Sequence, residues 1–178
     1  MEVNLDKQSY YEEPKEYGGF WLRFVAYLID SIIVGIPLTI LSIIIFVVFF
    51  GATGVFDVIL ADPDALSYEM SDEEALVFLG SYLGALGLTM VINLVVAVSY
   101  FAGLQSSKMQ ATLGKKMLGL KVTDLNGNRI TFWRALGRYF AMSFLSGILL
   151  IGFILAAFTE KKQSLHDLIA STIVVKKA

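Results

Sequence analysis

Arg23 and Asp30 lie seven residues apart in an otherwise apolar run, and they are the first residues whose types and spacing could do chemistry. Seven helical steps of about 100° return to within about 20° of the starting face, about 10.5 Å further along the axis. The two side chains thus share a face but are too far apart for a comfortable direct contact. Arg23 has Phe20, Trp21 and Tyr27 beside it, so a snorkelling interfacial anchor is an equal reading. Asp30 is followed by twenty uncharged residues, Ser31 to Phe50. An ionisable group at that depth in a membrane helix is costly, faces protein or a wet cavity, and marks function by default. The competing reading is a structural pair with a distant cation. Either way Asp30 needs a partner from elsewhere in the chain.

His166 and Asp167 form the next constellation, just after Lys161-Lys162. Ser164 and Asp167 have capping-box spacing, so Asp167 has a purely local reading at the start of a short helix. An adjacent His-Asp pair lacks the base-and-orienter geometry of a nucleophilic triad, and no enzymatic activity is expected. Cys is absent and His166 is the single histidine, which excludes thiolate chemistry and multi-histidine metal centres. Gly114-Lys115-Lys116 is a fragment of a phosphate loop without the upstream glycine or the following Ser/Thr. Asp57, Asp62 and Asp64 lack the EF-hand order and read as a solvated face. No cofactor and no bound metal are expected.

The elements that must position these groups are membrane helices. Hydrophobic residues are 56% of the 178-residue chain and charged residues 17%, more apolar surface than so small a core can hide from water. Three apolar segments stand out, at about 20–50, 75–102 and 139–158. Each reaches the roughly 20 residues that cross a hydrocarbon layer of about 30 Å. Residues 1–18 are polar and acidic, with no apolar run of the kind a cleavable secretory signal requires. Ser71 and Glu74 have the spacing that starts the second helix. A net charge of −2 argues against nucleic acid as a partner.

The loops sort by sign. Residues 51–74 carry seven acids and no Lys or Arg, whereas 103–138 carry seven Lys or Arg and one acid. Because Lys and Arg in short loops stay in the cytoplasm, the acidic loop is expected outside, and the basic loop and the N-terminal tail inside. In the basic loop, Leu118 to Asp124 and Asn128 to Phe132 flank Asn126-Gly127, which suits a tight hairpin turn. Thr172, Ile173, Val174 and Val175 read as a further strand able to join that hairpin. The expected fold is an all-α polytopic membrane bundle with a small cytoplasmic β-hairpin, joined by the C-terminal strand.

The third segment has two readings. Its twenty uncharged residues, Tyr139 to Phe158, are long enough to cross. A full crossing would place Lys161, Lys162, Lys176 and Lys177 outside and separate the tail from the hairpin. A break at Ser146-Gly147 would instead turn the chain back near mid-membrane, where its free backbone groups need protein partners. Charge and strand pairing favour the re-entrant reading. On the second helix, Gly80, Ser81, Gly84 and Gly87 form a small-residue face for close packing. Thr89, Asn93 and Tyr100 are modest polar features there, equally suited to interhelical hydrogen bonds and to a solute path.

Three blocks of residues carry a family resemblance. Gly19-Phe20-Trp21-Leu22-Arg23 with Ala26-Tyr27-Leu28-Ile29-Asp30 is the first, and Thr112-Leu113-Gly114-Lys115-Lys116 with Gly119-Leu120-Lys121-Val122 the second. Gln163-Ser164-Leu165-His166-Asp167 ahead of Thr172-Ile173-Val174-Val175 is the third. In this order the blocks resemble the RDD family of small membrane proteins, over residues 19–177. The family's named Arg and two Asp fall on Arg23, Asp30 and Asp167, and Gln163-Ser164 departs from its common basic-Thr pairing. Members have been proposed as transporters, some similar to sodium/proton exchangers, while others serve as subunits of larger membrane assemblies. The resemblance implies a multi-pass protein of the cell membrane that passes a small ion or solute, with a monovalent cation or proton as partner. Arg23, Asp30 and Asp167 would form the ion or proton site, with Arg138, His166 and Asn93 in support. So few segments make a thin wall, so a homo-oligomer or other membrane subunits are expected. The alternative is a non-transporting adaptor whose charges are structural. In the expected arrangement Arg23 pairs with Asp167 at the cytoplasmic end of the first helix, leaving Asp30 one layer deeper for a proton, a cation or a basic residue such as Arg138.

Overall fold

The computed structural model describes residues 16–62, 71–146 and 154–177. Helix α1 (Phe20–Gly51) contains 32 residues and follows Gly19 directly. A short α2 (Val55–Ala61) follows. Helix α3 (Asp72–Ala97) opens on the expected capping box: the Ser71 amide donates to Glu74 Oε2 at 2.9 Å, and the Glu74 amide to Ser71 Oγ at 3.3 Å. It runs on through a π-helical turn, Val98–Gly103, into α4 (Leu104–Ser106).

Both long helices carry their apolar side chains on the outside. Only 6% of the most apolar stretch of each is buried. Ile32, Ile36 and Ile40 are 60%, 56% and 54% exposed, one stripe at helical spacing. The core helix of a soluble protein would bury this surface, so these faces are built for lipid. The two helices meet through aromatic rings, Phe46 with Tyr82 and Phe50 with Phe78. The small-residue face contributes at one position: a Cβ on Gly84 would strike the Phe49 ring, whereas Gly80 and Gly87 face open space.

The polar end of the molecule is compact. After α5 (Leu113–Met117), strand β1 (Leu120–Asp124) pairs antiparallel with β2 (Thr172–Lys176), Val122 opposite Val174. The other edge of β2 receives the N-terminal segment: Gly18 donates to the Val174 carbonyl at 2.9 Å, and Lys176 donates to that of Glu16 at 2.8 Å. Leu120, Val122, Ile130, Ala135 and Val174 pack with Ala26 of α1 and Ala102 into one buried cluster.

The expected hairpin is corrected. The Asn126-Gly127 turn forms, with Gly127 at φ +90° and Asp124 donating to the Asn128 carbonyl. Residues 128–131 nevertheless do not continue as a strand, because Thr131 accepts from the Arg134 amide and starts helix α6 (Phe132–Ala141). That helix buries Ala135, Arg138 and Ala141, one face at three-residue intervals. The ladder position beside β1 belongs to the C-terminal strand. Of the third apolar segment, a π turn (Met142–Ser146) and a 3₁₀ turn (Leu155–Ala157) are described. The break expected at Ser146-Gly147 lies at the edge of residues 147–153, outside the described residues.

Candidate functional site

Asp167 sits in the first turn of α7 (Leu165–Ile169) and is fully buried. Its two oxygens are divided between two guanidiniums. Arg23 Nη1 pairs with Oδ2, and Arg138 Nε donates to Oδ1 at 2.7 Å. Ser164 Oγ adds a bond to Oδ2 at 2.7 Å and Thr172 Oγ1 one to Oδ1 at 3.3 Å. Burial alone would raise the pKa of this carboxyl; Arg138 and Arg23 outweigh it and hold Asp167 well below the usual carboxylate range. Arg23 is anchored further by Nε donating to the Gly18 carbonyl at 2.7 Å, and Arg138 by Gln105 Oε1. The expected pair of Arg23 with Asp167 is present. Arg138, named among the possible occupants beside Asp30, is instead the second partner of Asp167, because α6 presents it to the start of α7.

Asp30 occupies the deeper layer and is 1% exposed. It receives hydroxyl and amide donors rather than a cation. Tyr100 donates to Oδ1 at 2.6 Å, Thr112 to Oδ2 at 2.6 Å, and the Gly114 amide to Oδ1 at 2.7 Å. The π turn places Tyr100, and Thr112 and Gly114 at the start of α5 supply the other two, so that both carboxyl oxygens accept hydrogen bonds. A side chain at Gly114 would collide with the Ala26 carbonyl and meet Asp30 Oδ1 at 2.8 Å, so glycine permits the close approach of α5 to α1. Gly114-Lys115-Lys116, set aside as a phosphate loop and counted as part of the second family block, contributes here a backbone donor beside a carboxylate.

Between the two layers lies a cavity of about 20 Å³, lined by Arg23, Asp30, Lys115, Arg138 and His166 among others. That is room for about one water-sized occupant. His166 is buried with Ser164 Oγ 2.8 Å from Nε2, and burial lowers its pKa to about 3, so the ring is neutral beside Asp167. Lys115 is buried too, and burial with Arg138 nearby lowers its amine to about 7. Neither Lys115 nor Gln105 was singled out from the sequence as a site residue: Lys115 lies on a short helix that leaves no periodic signature, and Gln105 at the very end of the long helix that begins at Asp72. Asn93 lies elsewhere, on a cavity of about 530 Å³ lined by Gly35, Thr39 and Ser42 of α1. Among the described residues no cluster of His, Cys, Asp and Glu could hold a metal ion.

The uncharacterized protein YxaI of Bacillus subtilis (strain 168) is 47% identical over 161 residues, covering 89% of this chain and 97% of that protein. The uncharacterized membrane protein YteJ of the same organism is 28% identical over 165 residues, 89% of this chain and 80% of its own length. RP437 of Rickettsia prowazekii (strain Madrid E) is 40% identical over 91 residues, about half of each chain. No solved structure matches. The family model for the RDD family matches residues 17–171, the span that holds Arg23, Asp30 and Asp167, and this chain is a membrane protein of the RDD family.

Proposed function

We propose that this protein is a small ion transporter of the cell membrane that exchanges protons for monovalent cations, with the charge of Asp30 as the element the exchange uses. One observation carries the reading. Asp30 is buried within an apolar helix, has no ion-pair partner among the described residues, and lines a cavity of about 20 Å³. A carboxylate held ready in this way, yet without a fixed counter-charge, suits a site that alternates between positive occupants. In the proposed topology α1 and α3 span the bilayer with the N-terminus inside, and the third segment is re-entrant. The loop charges and the contact of Arg138 with Asp167 support it. Two spanning helices enclose little, so the transporting unit is a homo-oligomer.

Proteoliposomes holding only this protein test the proposal. Cation-dependent proton flux that Asp30→Asn abolishes, in a variant that still elutes as folded protein, is the expected result. No flux from the wild-type protein would defeat the reading. A second reading, an adaptor whose charges only hold the fold, is favoured for Asp167 by its two arginine partners. Flux that survives Asp30→Asn would extend that reading to the whole site.

A further inference from the structure

We propose that the Lys115 amine is the proton-binding group of this cluster. The proposal rests on the exchange reading above and names the residue that would carry the proton. The cavity is faced by Arg23, Tyr27 and Asp30 from α1, by Arg138 from α6 and by His166 from α7, with Asp167 bound behind them. With His166 neutral, the guanidiniums of Arg23 and Arg138 balance the carboxylates of Asp30 and Asp167. A charged Lys115 is then one unit of positive charge in excess, buried, and absent from the ion pairs of the described residues. Uncompensated burial of an ion is what drives such a group to give up its proton.

The alternatives in the cluster are tied up. Guanidiniums do not deprotonate in proteins. Both Asp167 oxygens are taken by arginines, and both Asp30 oxygens accept from hydroxyl or amide donors. The amine remains. In its release step an N–H bond of the ammonium breaks, the electron pair stays on nitrogen, and the proton passes to water. The cavity loses one positive charge, and a monovalent cation can then replace it opposite Asp30. An amine brought to about 7 would cycle in this way near neutral pH.

The test uses the full chain, carbon-13-labelled at lysine, in detergent micelles, with the Lys115 resonance assigned by its loss in Lys115→Met. Lys115→Arg assigns it equally if the methionine variant does not fold. The expected titration midpoint is near pH 7. A midpoint in the ordinary lysine range, near 10.4, would overturn the proposal. In proteoliposomes, Lys115→Arg is expected to lose exchange, because its charge is permanent. Unchanged exchange with an unchanged pH profile in that variant would also overturn it. If the wild type shows no flux while Lys115 titrates near neutrality, the exchange reading fails and the proton site stands.

Discussion

Arg138 Nε lies 2.7 Å from Asp167 Oδ1, although the two residues flank the whole apolar stretch from Tyr139 to Phe158. In the proposed re-entrant topology both residues lie on one side of a hydrocarbon layer of about 30 Å, as this contact requires. Cysteines at Asn128 and Lys177 are therefore expected to share one side of the membrane in intact cells, protected from an impermeant thiol reagent, while one at Ala61 reacts. Labelling of Lys177→Cys without labelling of Asn128→Cys would contradict the geometry.

Asp167 is shared between two arginines, and this predicts strong energetic coupling. Removing one partner of a buried pair costs about 3–5 kcal/mol, because the remaining charge is left uncompensated. Asp167→Asn should lower the thermal midpoint more than Arg23→Gln or Arg138→Gln alone. Asp167→Asn with Arg23→Gln should cost less than their separate effects combined. Additive losses in a detergent melt would show that the three groups do not act as a unit.

Acid should unfold the polar end of the molecule. The unfolded chain protonates His166 near the ordinary imidazole value of 6.5, whereas the folded chain resists until about 3. Stability from the neutral ring is thus present above 6.5 and lost as pH falls toward 3. Asp167, held well below 3.8, adds a contribution present above 3.8 and lost as pH falls through its lower folded value. Lys115 has the same slope at higher pH, its cost being relieved as pH rises from about 7 to 10.5. The thermal midpoint is expected to climb with pH, and His166→Gln to flatten the curve between about 4 and 6.5 without altering it above.

The packing around Asp30 should tolerate little change. Gly114→Ala forces a methyl group against the Ala26 carbonyl, and overpacking of this kind costs about 1–3 kcal/mol. Thr112→Val removes one donor and leaves a buried acceptor short of a partner, which costs about 1–3 kcal/mol. Both variants should melt below the wild type, and Thr112→Ser should restore most of the loss. Equal melting of Thr112→Val and the wild type would remove this hydroxyl from the account of how Asp30 is held.

How much of this was legible depended on whether a signal was local. The Ser71 capping box and the strand at Thr172 to Val175 are written in short runs, and both stand in the structure. Arg23 could be matched to Asp167 because a guanidinium forks hydrogen bonds to a carboxylate and the resemblance singles out both residues. The strand expected at Asn128 to Phe132 failed because Thr131, strand-like in its β-branching, is also a capping residue and starts α6 instead. Arg138 was offered as one of three possible occupants beside Asp30 and pairs with Asp167 instead, because the depth of a side chain on a short amphipathic helix depends on where that helix docks. Lys115 and Gln105 gain their meaning only from tertiary burial, which no local pattern encodes.

The distance in sequence between Arg23 and Asp167 also has a consequence for biosynthesis. Asp167 is 144 residues further along the chain. At about 5–20 residues per second, roughly seven to thirty seconds pass before the ribosome has made this partner of Arg23. Throughout that interval the first helix bears an arginine whose buried counter-charge does not yet exist. A chain released early lacks Asp167 and β2 together, so its N-terminal end has nothing to dock on. The last residues synthesised thus report on completeness: a quality-control protease that samples the polar end of the first helix would meet a loose, charged terminus in a product truncated before Asp167 and a closed sheet in a finished one.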